Sequence, residues 1–95
     1  MVVQIVKFET SLSEAEVLTV ANERADKFRS LPGLLQKYYV RLERPNQYGG
    51  IYVWDSEESM LSFRKSDLAA SIPQAYEVTG PPTIETLGTL FQLRD

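Results

Sequence analysis

The 95 residues contain no histidine and no cysteine, so proton transfer and ligand contacts in this chain fall to Tyr, Lys, Arg and the carboxylates. The most suggestive spacing is Lys37, Tyr39 and Arg41. In an extended segment alternate residues share a face, and polar groups within a largely apolar cleft are what a ligand site requires. Tyr and Lys can move protons when their pKa values are shifted. Tyr38 and Tyr39 are adjacent and face opposite ways, and parity alone does not say which looks towards the helices. The company of Lys37 and Arg41 favours Tyr39 as the pocket residue. The competing reading is that Lys37 and Arg41 sit at sheet edges and snorkel to water.

Three further aromatics complete the candidate pocket. Trp54 ends an apolar strand beside a helix and is expected to stack on a flat ligand. Phe63 lies nine residues on, along the apolar stripe of that helix. For both, core packing is the alternative. Tyr76 follows a broken helical stretch and would either lid the pocket or anchor the linker after it. Asp55, Glu57 and Glu58 form an acidic cluster that helix capping explains without a metal. Asn46 and Gln47 read as turn residues, and the pair Gly49–Gly50 is not a nucleotide-binding fingerprint. The missing His and Cys exclude a disulfide framework, a zinc site of the usual kind and the common proximal haem ligand. No cofactor is expected.

Periodicity supplies the elements that must hold these residues. Val2 to Phe8 is apolar on both alternating faces, with Val2, Val6 and Phe8 on one side and Val3 and Ile5 on the other, as in a strand covered on both sides. Ser13-Glu-Ala-Glu16 is a capping box. It opens an amphipathic helix to about Ser30, with an apolar stripe of Ala15, Leu18, Ala21, Ala25 and Phe28. Leu31-Pro32-Gly33 ends it. Leu34 to Arg44 reads as a second strand, with Leu34, Gln36, Tyr38, Val40 and Leu42 opposite the face of Tyr39. Pro45 to Gly50 reads as a loop, and Gly50 to Trp54 as the third strand of an antiparallel hairpin. Ser56 caps a second helix whose stripe is Met60 and Phe63. Asp67 to Tyr76 is expected as a short helical piece broken at Pro73, Val78 to Pro82 as a linker, and Thr83 to Leu93 as the last strand.

The order β-α-β-β-α-β predicts an α+β, ferredoxin-like domain: one antiparallel sheet with both helices on one face. The other face is then bare and apolar. The simplest closure is a homodimer, sheet against sheet. One domain is expected at this length. A formal net charge of −3 without a basic cluster argues against nucleic acid as a partner. No apolar run approaches the ~20 residues that cross a bilayer, and the start lacks the pattern of a signal peptide. No membrane partner and a cytoplasmic location are therefore expected.

With these elements in place the chain resembles the dimeric α/β-barrel superfamily, and within it the antibiotic-biosynthesis-monooxygenase-like proteins, most nearly the YdhR-like monooxygenases. Pro32-Gly33-Leu34-Leu35-x-Lys37, Gly49-Gly50-Ile51-Tyr52-x-Trp54 and the aromatic Phe63 carry the resemblance, over essentially the whole chain. It implies a homodimeric barrel, a pocket between sheet and helices in each subunit, and a small aromatic or apolar ligand. It also implies cofactor-independent oxygenation of an aromatic or polyketide-like compound, or non-catalytic binding or stress-response duty in the same pocket. Many relatives carry His at the Phe63 position. The haem-degrading branch has Trp there, a ligating His near Pro73, and Asn where this chain has Lys7-Phe8. None of these is present, so the resemblance does not extend to haem degradation.

Overall fold

A computed structural model covers Met1 to Asp95. The elements run β1 (Val2–Glu9), α1 (Glu14–Arg29), β2 (Leu34–Arg41), β3 (Gln47–Trp54), α2 (Glu57–Arg64), α3 (Asp67–Ala70), α4 (Ile72–Ala75) and β4 (Thr83–Gly88). The four strands form one antiparallel sheet in the order β2-β3-β1-β4. This is the ferredoxin-like β-α-β-β-α-β arrangement expected from the sequence. No helix is long and apolar enough to cross a membrane.

Register assigns the faces. Val2 pairs with Trp54, Gln4 with Tyr52, Val6 with Gly50 and Phe8 with Tyr48, so these eight residues share one face. Trp54, Tyr52, Phe28, Met60 and Phe63 form one buried cluster, which places α1 and α2 over that face. On β2, Lys37 pairs with Tyr52, Tyr39 with Gly50 and Arg41 with Tyr48, which puts Tyr39 on the helix side. Leu34 lies opposite Trp54, and a bulge between Leu34 and Gln36 shifts the register. Leu34 therefore joins the face of Lys37 and Tyr39, contrary to strict alternation. The bare face carries Val3, Ile5, Tyr38, Val40, Ile51, Val53 and Leu87. Tyr38 is 55% and Leu87 48% exposed.

Local chemistry sets the helix ends. Ser13 Oγ accepts from the Glu16 N–H at 3.2 Å and the Ser13 N–H donates to Glu16 Oε1 at 3.0 Å, closing the capping box. These bonds hold the Glu16 carboxyl below its ordinary range. Ser56 caps α2 through the Ser59 N–H at 3.2 Å.

Besides the face of Leu34, and β2 ending at Arg41 rather than Arg44, the structure corrects four expectations. The inward line of α1 is Val17, Ala21 and Phe28, with Val20 and Arg24 half-buried. Ala15 is exposed and Leu18 is 52% exposed. The expected and observed lines share Ala21 and Phe28, and the helix is rotated so that Val17 is buried. Next, Gln47 to Gly50 are strand, and the reversal is carried by Asn46 at φ 66°. Gly49 pairs with Lys7 and Val40 within the sheet, and the position takes glycine because a Cβ there would lie 2.3 Å from the Val6 carbonyl oxygen. Third, the helical stretch after Ser66 breaks at Ser71. Pro73 sits in the first turn of α4, where a missing N–H costs nothing.

The last correction concerns β4, which stops at Gly88. Its final register partner is Val2, the first residue of β1, and the Thr89 N–H makes one more bond, to Met1 O at 3.1 Å. Leu90, Phe91 and Leu93 then stand 97%, 78% and 86% exposed.

Candidate functional site

The helix side of the sheet holds two clusters. In the first, Trp54 is fully buried, and its Nε1–H donates to Gln4 Oε1 at 3.0 Å. The Trp54 ring lies parallel to Tyr52, with centroids 6.1 Å apart and an interplanar angle of 2°, and 5.4 Å from Phe63. Met60 and Phe28 close the remaining sides. Trp54 and Phe63, expected at the pocket, do not line the cavity beside Tyr39 and Tyr76: they are packed against each other and against Met60 at the end of the sheet where α2 lies, and border a separate hollow there with Pro32, Ser59 and Ser66.

The second cluster consists of Leu12, Val17, Ala21 and Tyr76. Beside it lies a cavity of about 220 Å³ between the sheet, the first half of α1 and the α4–Tyr76 segment. Eleven of its sixteen lining residues are hydrophobic, so an occupant must bring apolar surface. Tyr39 and Tyr76, both expected here, line it together with Lys37, Tyr52, Val6, Phe8 and Gly50. Tyr52 belongs to both regions, with one side against Trp54 and Phe63 and the other towards the cavity.

Backbone anchors hold the walls. The Thr10 hydroxyl, almost fully buried, donates to Tyr76 O and accepts from the Leu12 N–H at 3.0 Å. That fixes the segment that swings Tyr76 over the cavity, where its ring meets Phe8 at 5.2 Å between centroids. At the mouth Arg41 makes a two-pronged ion pair with Glu14, at 2.6 Å and 3.2 Å. The guanidinium is thereby tied to the first turn of α1.

Lys37 is the unusual group. Its stem runs past Gly50, where a Cβ would lie 3.3 Å from Lys37 Cε. Its amine lies 3.4 Å from the Phe28 ring centre, 4.3 Å from that of Tyr39 and 4.6 Å from that of Tyr52. Ion pairs in the protein join Arg29 to Asp26 and Arg41 to Glu14; no carboxylate reaches Lys37. Burial, reinforced by the Arg24 guanidinium, pushes its pKa down to about 7. The three ring faces act the other way, since a cation over a π-face is stabilised. Desolvation is the larger effect because no acceptor replaces the lost water.

The phenols shift in the opposite sense. Burial raises Tyr39 against the lowering pull of Arg29 and Arg24. Burial also raises Tyr52, with Tyr39 and Tyr76 beside it adding to the effect, and lifts Tyr76 to about 12. Near neutral pH the cavity therefore presents phenolic O–H donors and an amine that is partly free base. Such a set can accept a proton from a bound carbon or oxygen acid and donate hydrogen bonds to the anion that results. No group of three or more Asp or Glu converges as a metal site would require.

Spacing alone overlooked Tyr52 and Gly50. Counting back in twos from Trp54 along β3 reaches both, so the signal was present.

No protein-family model matches the sequence, and no curated protein matches it. Solved structures do. SnoaB, a cofactor-independent oxygenase from Streptomyces nogalater, superposes with a TM-score of 0.77 at 18% identity, covering 99% of this chain and 97% of that one. A candidate antibiotic biosynthesis monooxygenase from Deinococcus radiodurans gives 0.77 at 17% identity, covering 100% and 98%. A protein of unknown function from Nitrosomonas europaea gives 0.78 at 16% identity, covering 99% and 93%. The chain thus has the fold of the antibiotic-biosynthesis-monooxygenase proteins over its whole length, and at these identities the likeness speaks for the fold.

Proposed function

We propose that this protein is a cofactor-independent monooxygenase-type enzyme acting on a small aromatic or polyketide-like compound held in the cavity beside Tyr39 and Tyr76. The observation that carries this reading is the Lys37 amine, lowered to about 7 at the wall of an apolar cavity. A general base works best when its pKa is near the working pH. The fold shared with a cofactor-independent oxygenase supports the reading by analogy.

In this scheme the substrate is a phenol, or a methylene flanked by rings and a carbonyl. Lys37 takes the acidic proton, and the hydroxyls of Tyr39, Tyr52 and Tyr76 donate to the oxyanion. The electron-rich anion then reduces dioxygen directly. For a methylene compound one oxygen atom becomes the new carbonyl and the other leaves as water with the two methylene hydrogens. The apolar walls keep bulk water from the anion.

The reading also takes the protein as a homodimer that buries the bare face around Ile5, Ile51, Val53 and Leu87. An apolar sheet face of this kind is an association surface, and a second copy closes it symmetrically.

Oxygen uptake with anthrone-like compounds and polycyclic phenols tests the function. Turnover by the wild type should fall by about 100-fold or more in Lys37→Met, the usual worth of a general base, and several-fold in Tyr39→Phe. Full turnover in folded Lys37→Met would refute the assignment of the base. Tight binding with no uptake would make the protein a non-catalytic binder of the same compounds.

A further inference from the structure

Lys37 is set apart from the other lysines by its surroundings as well as by its charge. Its amine is ringed by Phe28, Tyr39 and Tyr52. A Cβ at position 50 would press on its stem, 3.3 Å from Cε, and Lys37 lines the cavity together with Val17, Ala21 and Ile72. Arg24 of α1 lies near it, and the titratable groups that share its cavity are Tyr39, Tyr48, Tyr52, Tyr76 and the Glu14 carboxylate, which is taken up by Arg41. None of them holds the amine as a salt-bridged ammonium.

We propose that Lys37 is a carbonyl-reactive amine, and that the cavity captures small uncharged aromatic aldehydes or ketones as an imine on its Nζ. The lone pair of Nζ attacks the carbonyl carbon. The C–N bond forms, the C=O π bond breaks, and the amine proton passes to the oxygen, giving a carbinolamine. A phenol proton, from Tyr39 by its proximity, then lets the hydroxyl leave as water, and the nitrogen returns its remaining proton to that phenolate. Amine plus carbonyl become imine plus water, with no oxidant or reductant consumed. The rings stack on the aromatic part of the ligand and stabilise the iminium form. A neutral fraction of the amine at physiological pH supplies the nucleophile. The capture needs no oxygen, so it stands or falls separately from the oxygenase reading.

The test uses the intact protein with benzaldehyde and sodium cyanoborohydride, which reduces an imine to a stable benzylamine. Peptide mapping by mass spectrometry reads which lysine is modified. Lys37 should be labelled at least about tenfold faster than Lys7, Lys27 and Lys65 at pH 7, since a depressed pKa frees far more of its amine. The preference should vanish in urea-denatured protein, and the fast adduct should be missing from Lys37→Met. Equal labelling of all four lysines in the native protein would overturn the proposal. So would a Lys37 preference that survives denaturation, because the cavity would then not be its cause.

Discussion

The two aromatic regions on the helix side of the sheet are built from similar residues and end in opposite states. Around Trp54, the rings of Tyr52, Phe63 and Phe28 interlock with Met60 and leave Trp54 fully buried. Around Tyr39 and Tyr76 the same sheet face keeps a cavity of about 220 Å³. The difference lies in the small residues. On that face β3 contributes Gly50 to the second region where the first has Trp54, with Tyr52 shared between them, and α1 contributes Ala21 where it later contributes Phe28. Aromatic content does not separate core from site here; the volume of what stands opposite does.

The largest test of this contrast removes the closed region's anchor. Trp54→Ala should cost about 3–5 kcal/mol of unfolding free energy, and it also strips the Gln4 carbonyl of its donor. Urea unfolding measures the loss. Ligand affinity measured where the variant is still folded should barely change. A large loss of affinity with little loss of stability would reverse the roles assigned to the two regions.

A smaller effect, of opposite sign, is expected in the open region. Lys37→Met should stabilise the protein by on the order of 1–3 kcal/mol at pH 6, because folding confines a poorly solvated cation there. The sign with pH follows from the lowered pKa. Between about 7 in the folded state and the ordinary 10.5, the unfolded chain binds more protons. Wild-type stability therefore rises with pH relative to Lys37→Met across that window, and the gain is complete near the upper limit. Paired urea titrations at pH 6 and pH 9 read it. A difference that does not shrink as pH rises would mean that the three rings outweigh desolvation.

The smallest effect belongs to the rim. Arg41→Ala breaks the exposed ion pair with Glu14 and should leave stability almost unchanged, because water screens such a pair. Its clearer consequence should be faster exchange of ligands into the cavity, measured by stopped-flow binding, because the first turn of α1 is no longer tied to β2.

How far the sequence could be read differs between the regions in the same way. The closed region was legible as structure. Trp54 ends an apolar strand, Met60 and Phe63 stand at helical spacing, and Ser56 caps the helix between them; each is a local pattern. Their role was less legible, since the same residues read equally as pocket wall. In the open region Tyr39 and Tyr76 could be named as pocket candidates, whereas Tyr52 and Gly50, although part of the motif that carries the resemblance, were not assigned to the pocket. The β4 limit also escaped, because the alternation of Thr83 to Leu93 continues where the partner strand does not.

Residue order and type were therefore enough for the order of elements, the caps at Ser13 and Ser56, and the antiparallel sheet with one bare face. These follow from periodicity and hydrogen bonding within a few residues. Other features came only from assembly: which side of β2 meets the helices, how α1 is rotated about its axis, and that Trp54 is sealed while Lys37 borders a cavity. A cavity is volume left over between elements distant in sequence, and the Lys37 pKa depends on rings brought from α1, β2 and β3. No window of the chain contains either quantity, because both are set by the summed shapes and charges of segments that meet only in the folded state.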